Sequence, residues 1–324
     1  MSDELNLLIN GRECAERVQA VTWAGSISEC ARTLDFGLFD PEGAVPCEMG
    51  SRVVYRRGGT VLLDGFIFSR GRDMEGAVLD LSCADRGLYL KRNKTAYKFK
   101  STTPEAITRR ICGDFGITVG TLAETGVPIS RNYPGVSLYA MIATAYSLAA
   151  EQTGERYAIR FRGEALEVVA KRKGTETLVI QPGSNLRGGT VTESVESMIN
   201  QVAIYDDNGV KVGTYRDEEA IGLYGLMQEY LKQIKDKDSA KEAKKLLEDN
   251  GVTQKISVTV DPGHPDLIAG NCVVLRESVT GLYGLFWIDA DAHTWTKDGG
   301  YSTKLTLNFK NIMDEQEAGS LPTA

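Results

Sequence analysis

The sequence predicts a mainly β protein with α+β content: two related small β-barrel domains, joined by a helix-containing α+β domain, with a helical insertion in the second β-module. Three observations lead there. Apolar residues alternate with polar ones in many short runs, such as Ile256, Val258 and Val260 against Ser257 and Thr259. Strong turn signals, among them Asn10-Gly11, Gly58-Gly59, Asp261-Pro262-Gly263 and Asp298-Gly299-Gly300, separate those runs. Finally, one pattern occurs twice. Gly50, Val53 and Val54 match Gly270, Val273 and Val274, Gly65 matches Gly284, and Leu79/Leu81 stand where the second copy has Leu305/Leu307.

Taken in order, Leu5, Leu7 and Ile9 alternate ahead of Asn10-Gly11, and Val18–Trp23 is the expected return strand of that hairpin. Ala31–Phe39 places Leu34, Phe36 and Leu38 on one face, and strands follow at Arg52–Arg56, Val61–Phe68 and Ala77–Cys83. The period then becomes helical. Thr103 and Pro104 open one helix carrying Ile107, Ile111 and Phe115 up to Gly116; Ser137 opens another with Leu138, Met141, Ile142, Ala145, Leu148 and Ala149 inward and Gly154 as its stop. The hairpin Tyr157–Arg162/Leu166–Lys171 closes this α+β unit.

Strands return near Leu178–Ile180 and Thr190–Ser197, and Val202–Tyr205 meets Lys211–Tyr215 across Asp206-Asp207-Asn208-Gly209. The charged stretch 217–250 is expected to be helical, with Leu226, Tyr230, Ile234, Ala243, Leu246 and Leu247 as apolar contacts and the run Lys232–Lys245 as a solvated face. The expected partition is 1–95, first β-barrel domain; 96–180, α+β domain of two helices and a hairpin; 181–310, second β-barrel domain with the insertion at about 217–250; and 311–324, a polar C-terminal tail.

Composition narrows the function. The 37 basic and 44 acidic residues give a net charge of −7, which opposes tight, sequence-independent binding to a phosphate backbone. Met1-Ser-Asp-Glu4 lacks the basic flank of a signal peptide, and no apolar run approaches the about 18 residues of a membrane helix. The six cysteines (14, 30, 47, 83, 112 and 272) form no CxxC pair and are expected as reduced, buried thiols. Phosphate-loop, dinucleotide, zinc-protease and serine-hydrolase motifs are missing, so no catalytic residue and no cofactor is expected. Arg109-Arg110 and Lys171-Arg172-Lys173 are isolated basic groups, expected as solvated surface. One set could hold a metal: Asp289, Asp291 and His293 at strand spacing, with His264 and Asp266 nearby. The polar face of an amphipathic strand accounts for it more simply, and these residues are expected at the surface with no metal.

The chain resembles the XkdQ/YqbQ family of baseplate hub proteins of contractile phages, PBSX-like prophages and tailocins. The residues that carry the resemblance include Ala31-Arg-Thr-Leu34, Ile111-Cys-Gly-Asp-Phe-Gly-Ile117, Asn200-Gln-Val202, Tyr224-Gly-Leu-Met-Gln228 and His264-Pro-Asp-Leu-Ile-Ala-Gly-Asn271. It implies a hub fold similar to that of T-even phages, in which three chains with two related barrels each form a homotrimeric ring. The implied partners are a tail tube protein, a spike protein and other baseplate or wedge proteins. No membrane is implied, and DNA could pass through the lumen. The implied place is the tail baseplate of a virion or tailocin, assembled in the bacterial host cytoplasm. The other classes to weigh are a carbohydrate- or receptor-binding tail-tip protein, which should cluster exposed aromatics, and a tail-associated cell-wall hydrolase, which needs an acid/base pair.

Overall fold

Alternation along the first ninety residues produces seven strands: β1 (Leu5–Ile9), β2 (Arg12–Glu13), β3 (Val18–Ser26), β4 (Glu29–Phe39), β5 (Arg52–Arg57), β6 (Thr60–Gly71) and β7 (Val78–Asp85). The computed structural model describes residues 5–172, 178–234 and 238–322; Met1–Glu4, Lys173 of the basic run and 235–237 of the charged run lie outside them. Leu7, Leu34, Phe36, Leu38, Val53, Tyr55, Leu63 and Ile67 point into one core, as a period of two requires. Asn10 and Gly11 take φ of 50° and 79° and turn β1 into β2. The return strand is not Val18–Trp23, however, since β3 pairs with β4. Glu13 closes the hairpin early: its carboxylate accepts the backbone N–H groups of Leu7, Cys14 and Ala15 at 3.0–3.2 Å, and the chain leaves the sheet through a short turn at Ala15–Arg17.

The α+β segment contains α1 (Gly87–Arg92), β8 (Lys94–Thr102), α2 (Pro104–Asp114), β9 (Val119–Leu122), β10 (Ile129–Ser137), α3 (Leu138–Thr153), β11 (Tyr157–Arg162) and β12 (Ala165–Ala170). Ser137 Oγ caps α3 by accepting Ala140 N–H at 3.2 Å, and Gly154 at φ 75° ends it. Helix α3 is buried around most of its circumference by α1, α2 and the strands. Phe115 is half exposed rather than part of the α2 stripe. Strand β8 carries only a weak sequence signal, Tyr97 and Phe99 between lysines, and of its nine residues only Phe99 is buried. The C-terminal residues are not a free polar tail. Met313 is buried, Tyr139 Oη donates to Asp314 at 2.6 Å, Lys171 Nζ donates to the Ile312 carbonyl at 2.6 Å, and Asn132 and Ser320 exchange backbone hydrogen bonds. Polar composition hid a strap fixed by hydrogen bonds rather than by apolar periodicity.

Then come β13 (Val179–Ile180) and β14 (Leu186–Ser194), followed by β15 (Gln201–Tyr205), β16 (Lys211–Arg216), α4 (Glu218–Tyr224), β17 (Gln228–Lys232) and α5 (Ser239–Asp249). The last four strands are β18 (Thr253–Val260), β19 (Cys272–Glu277), β20 (Leu282–Thr296) and β21 (Tyr301–Asn308). Contacts divide the chain into two units, Met1–Gly189 with Ser257–Ala324, and Thr190–Ile256.

The second unit corrects the helical reading of 217–250. It has its own sheet, ordered β16-β15-β17, with β17 parallel to β15 and α5 packing Ala243 on Val202, Ile204 and Leu231. Asn200 is the reason. Its side chain accepts Met227 N–H at 2.8 Å and donates to the Gly225 carbonyl at 2.7 Å, which stops α4 and launches β17. Leu226, Tyr230 and Ile234 are exposed, not helix contacts, and Lys232 of the charged run pairs with Asp207 at 3.0 Å. The hairpin β15–β16 belongs to this unit and not to the second β-module.

The two modules follow the same strand order, differing in that β1 pairs antiparallel with β5 whereas β13 pairs parallel with β19. Neighbouring strands run β3-β4-β7-β6-β5-β1 in one and β14-β18-β21-β20-β19-β13 in the other, so strands at the same place in chain order take the same place in the sheet. Details match as well. Gly50 N–H donates to the Ile67 carbonyl and Ile67 N–H to that of Ser51; Gly270 donates to Ile288 and Ile288 to Asn271, all at 2.9–3.0 Å. A bulge follows at Ile67/Ser69 in β6 and at Ile288/Ala290 in β20. The two runs join where β20 pairs with β3, making one sheet whose order is an open path from β14 to β2 rather than closed rings.

Candidate functional site

The polar residues singled out from sequence fall in three places. His264 and Asp266 lie in the exposed turn after β18, where Asp266 N–H donates to His264 Nδ1 at 3.2 Å. Asp289 sits at the β20 bulge, which takes it off the face of Asp291; its Oδ2 accepts Asn308 Nδ2 at 3.0 Å, and burial raises its pKa despite that bond and Lys171. Asp291 and His293, expected at the surface, are instead buried, with 3% and 0% exposure. The period of two was right, but the face was not. Strand β20 pairs edge to edge with β3 of the first module, over the register Ala290↔Ser26 to Thr296↔Ala20, and the face carrying Asp291 and His293 is thereby packed by the first module's Arg32 and Trp23 side chains.

This seam holds a buried cluster of polar groups. Arg32, at the start of β4, grips Asp291 with both terminal nitrogens, Nη1 to Oδ1 at 3.1 Å and Nη2 to Oδ2. Ala269 N–H donates to Oδ1 at 2.6 Å, and His293 Nε2 lies 3.2 Å from Oδ2. Burial by itself raises the Asp291 carboxyl, but the Arg32 charge and the hydrogen bonds from His293 and Arg32 outweigh it and hold the pKa below the ordinary carboxylate value. His293 Nδ1 is 2.8 Å from Tyr301 Oη and 3.2 Å from Thr303 Oγ1. Aromatic rings enclose the polar atoms. The Arg32 guanidinium stands 3.7 Å from the centre of the Trp23 ring, Trp295 stacks on Tyr301 at 4.4 Å, and Tyr55 meets Trp295 edge-on at 5.4 Å.

A bidentate arginine cancels the charge a metal ion would need from Asp291 and repels a cation beside it. Among the described residues, no three His, Cys, Asp or Glu side chains are grouped to hold an ion. Chemically the cluster is a clamp between modules: Arg32 and Trp23 come from the first, and Asp291, His293, Trp295 and Tyr301 from the second. Asp85 closes its far side, accepting backbone N–H from Arg32 at 3.1 Å and from Gly87 at 2.8 Å; burial pushes its pKa up to about 6 against those bonds. A cavity of about 460 Å³ opens beside Arg32, lined also by Trp23, Cys30, Arg57, Phe161 and Arg162. Sequence reasoning missed Arg32 as a functional residue; the only signal was a charged residue within the apolar alternation of Cys30–Leu38.

The repeat positions separate into two groups. Gly50 and Gly270 take φ of 82° and 93° and make the matched turns, and Val53 and Val273 are both buried, with Val54 and Val274 half-buried beside them. Gly65 and Gly284 are not equivalent. Val53 pairs with Gly65, whereas Val273 pairs with Phe286, and Gly284 falls two residues away opposite Leu275. Gly65 is required for space, since a Cβ there would lie 2.2 Å from the Ala84 carbonyl oxygen, while Gly284 has open surroundings and a φ of 136°. By the same register Leu81 and Cys83, not Leu79 and Leu81, stand where the second copy has Leu305 and Leu307. All six cysteines are free thiols, five of them buried.

Comparison with known proteins agrees with this architecture. The chain is 27% identical over 279 residues to the uncharacterised protein YqbQ of Bacillus subtilis, covering 82% of this chain and 83% of that one. It is 26% identical over 277 residues to the phage-like element PBSX protein XkdQ of the same organism, with the same coverage. The fold matches the 43 kDa tail protein of prophage MuSo2 from Shewanella oneidensis at a TM-score of 0.72 and 14% identity, over 94% of this chain and 98% of that one. It also matches, at a TM-score of 0.57 and 12% identity over 98% of this chain and 79% of the other, an E. coli component of the type VI secretion system described as structurally similar to the T4 tail proteins gp27 and gp5. The model of the YqbQ-like family spans residues 21–308, from β3 to the end of β21, and the chain belongs to that family.

Proposed function

We propose that the chain is the structural hub of a phage-tail or tailocin baseplate, a homotrimeric ring that adapts a six-fold tail tube to a three-fold spike. The observation that carries this reading is the pair of β-modules with one strand order in a single chain. Three chains then present six quasi-equivalent surfaces to a tube on one side and three-fold symmetry on the other. In this reading the β-modules within the proposed partition 1–95, 96–180, 181–310 and 311–324 dock the tube through their exposed edges and loops, and module edges with the segments between them make the trimer contacts. In a particle that carries DNA, the net charge of −7 disfavours adhesion of DNA passing through the ring. The relatives' link to a phage-like element and the tail-protein folds support this reading, and the work it describes is geometric rather than catalytic.

Deleting the gene in a producing strain tests it, with tails examined by negative-stain electron microscopy. The expected result is loss of assembled tails, restored by the gene in trans. Normal tails that no longer adsorb to cells would assign a receptor-binding tip instead, and normal tails that lose peptidoglycan clearing in a zymogram would assign a hydrolase.

A further inference from the structure

Each half of the join between the two modules has an unused counterpart, one in each module. Beyond its bulge, β20 forms an arm, Ala290–Thr296, that hydrogen-bonds to β3, the outer strand of the first module. In the matched strand order the counterpart of this arm is β6 beyond its own bulge, Ser69–Gly71, and the counterpart of β3 is β14. Among the described residues, Ser69–Gly71 pairs on one side only, with β7, and β14 pairs only with β18. The chain therefore carries one free arm and one free edge of the two kinds that it joins internally.

The geometry points to a second copy of this chain as the occupant of both: β14 of one copy adds antiparallel to the β6 arm of the next, as β3 adds to the β20 arm within a chain. Such a contact is head-to-tail, so successive copies either close into a ring or continue as a filament. Two observations besides the strand edges favour a protein surface here. Eight of the nine residues of β3 are buried or half-buried with three fully inside, whereas six of the nine residues of β14 are exposed and none is buried, which is the state of the same element without its arm. At the tip of the free arm, Phe39, Met74 and Val78 are exposed at 51%, 106% and 43%. At the matching tip of the second module, Trp295 and Tyr301 pack into the core of the first. Backbone pairing along the edge supplies the affinity and this apolar tip the anchor. The inference deepens the ring reading and rests on it for the number of copies; which edges meet is argued from the internal join.

The test uses tails purified from a strain whose hub carries Ser69→Cys with Glu193→Cys or, one step along the same strand face, with Val191→Cys. Mild oxidation followed by non-reducing gel electrophoresis is expected to convert the hub into covalent dimers and trimers in one of the two double variants, and in no single variant. Trimers that remain uncrosslinked in both double variants, while the hub is present at three copies per tail, would overturn the edge pairing and leave the ring reading standing. Hub stoichiometry other than three, measured on the same tails, removes the ring reading itself. Should the double variants disturb assembly, a benzoyl-phenylalanine crosslinker at position 71 alone, mapped by mass spectrometry, reads the same contact: crosslinks to residues 186–194 support it, and crosslinks elsewhere contradict it.

Discussion

Replacing Asp291 by alanine is expected to lower stability by about 3–5 kcal/mol, because it leaves the Arg32 guanidinium inside the seam without its counter-charge and Ala269 N–H without an acceptor. Arg32→Ala should cost a similar amount for the converse reason, a buried carboxylate with its charge unpaired. The double replacement Arg32→Met/Asp291→Leu, which removes both charges and keeps the volume, is expected to recover most of the loss. Urea denaturation of the four proteins followed by circular dichroism checks this; two single variants within about 0.5 kcal/mol of the parent protein would mean that the pair is solvated rather than clamped. The pH dependence has a definite sign. With its folded pKa held below the ordinary value, Asp291 contributes stability that is present above the unfolded carboxylate range and is lost as pH falls through the folded pKa. Asp291→Asn is therefore expected to flatten the acid side of the stability profile.

Trp295→Ala is expected to cost about 3–5 kcal/mol, and Trp295→Phe clearly less. The side chain is 1% exposed, stacks on Tyr301 and meets Tyr55 edge-on, so its removal leaves a cavity that neighbouring strands cannot close without breaking the β20–β3 register. Although it belongs to the second module's longest strand, Trp295 packs in the core of the first. Its loss should thus loosen the join between the modules. Denaturation followed by near-ultraviolet circular dichroism reads both the stability and the packing of the remaining rings. A change below about 1 kcal/mol would place Trp295 at a solvated edge.

Most individual elements could be read from the sequence because they obey local rules. The alternation of β4 and β18, the proline start of α2, the serine cap of α3 and the Asn208-Gly209 turn all matched the structure. What escaped were features decided by distant partners. Asp291 and His293 have the spacing of an exposed polar face, and nothing local announces that Trp23 and Arg32, about 260–270 residues earlier, pack on it once β3 pairs with β20. Strand β17 reads as part of a charged helix until Asn200 is seen to hold its turn. The glycine match of Gly65 with Gly284 followed string similarity, whereas pairing register aligns Gly65 with Phe286; a slip of two residues keeps the same face, so periodicity could not expose it. The likeness between the two β-modules was visible as a pattern, and in the structure it consists of a shared strand order, bulges at Ile67/Ser69 and Ile288/Ala290, and glycine turns at Gly50 and Gly270.

Cryo-electron microscopy of the assembled tail tip tests the proposed three-fold hub with two modules per chain most directly. Three copies are expected to encircle the axis between tube and spike, with six similar β-module densities at the level of the tube and each β20–β3 seam intact. Copies placed at the periphery of the baseplate, or six chains each contributing one module to the ring, would contradict it.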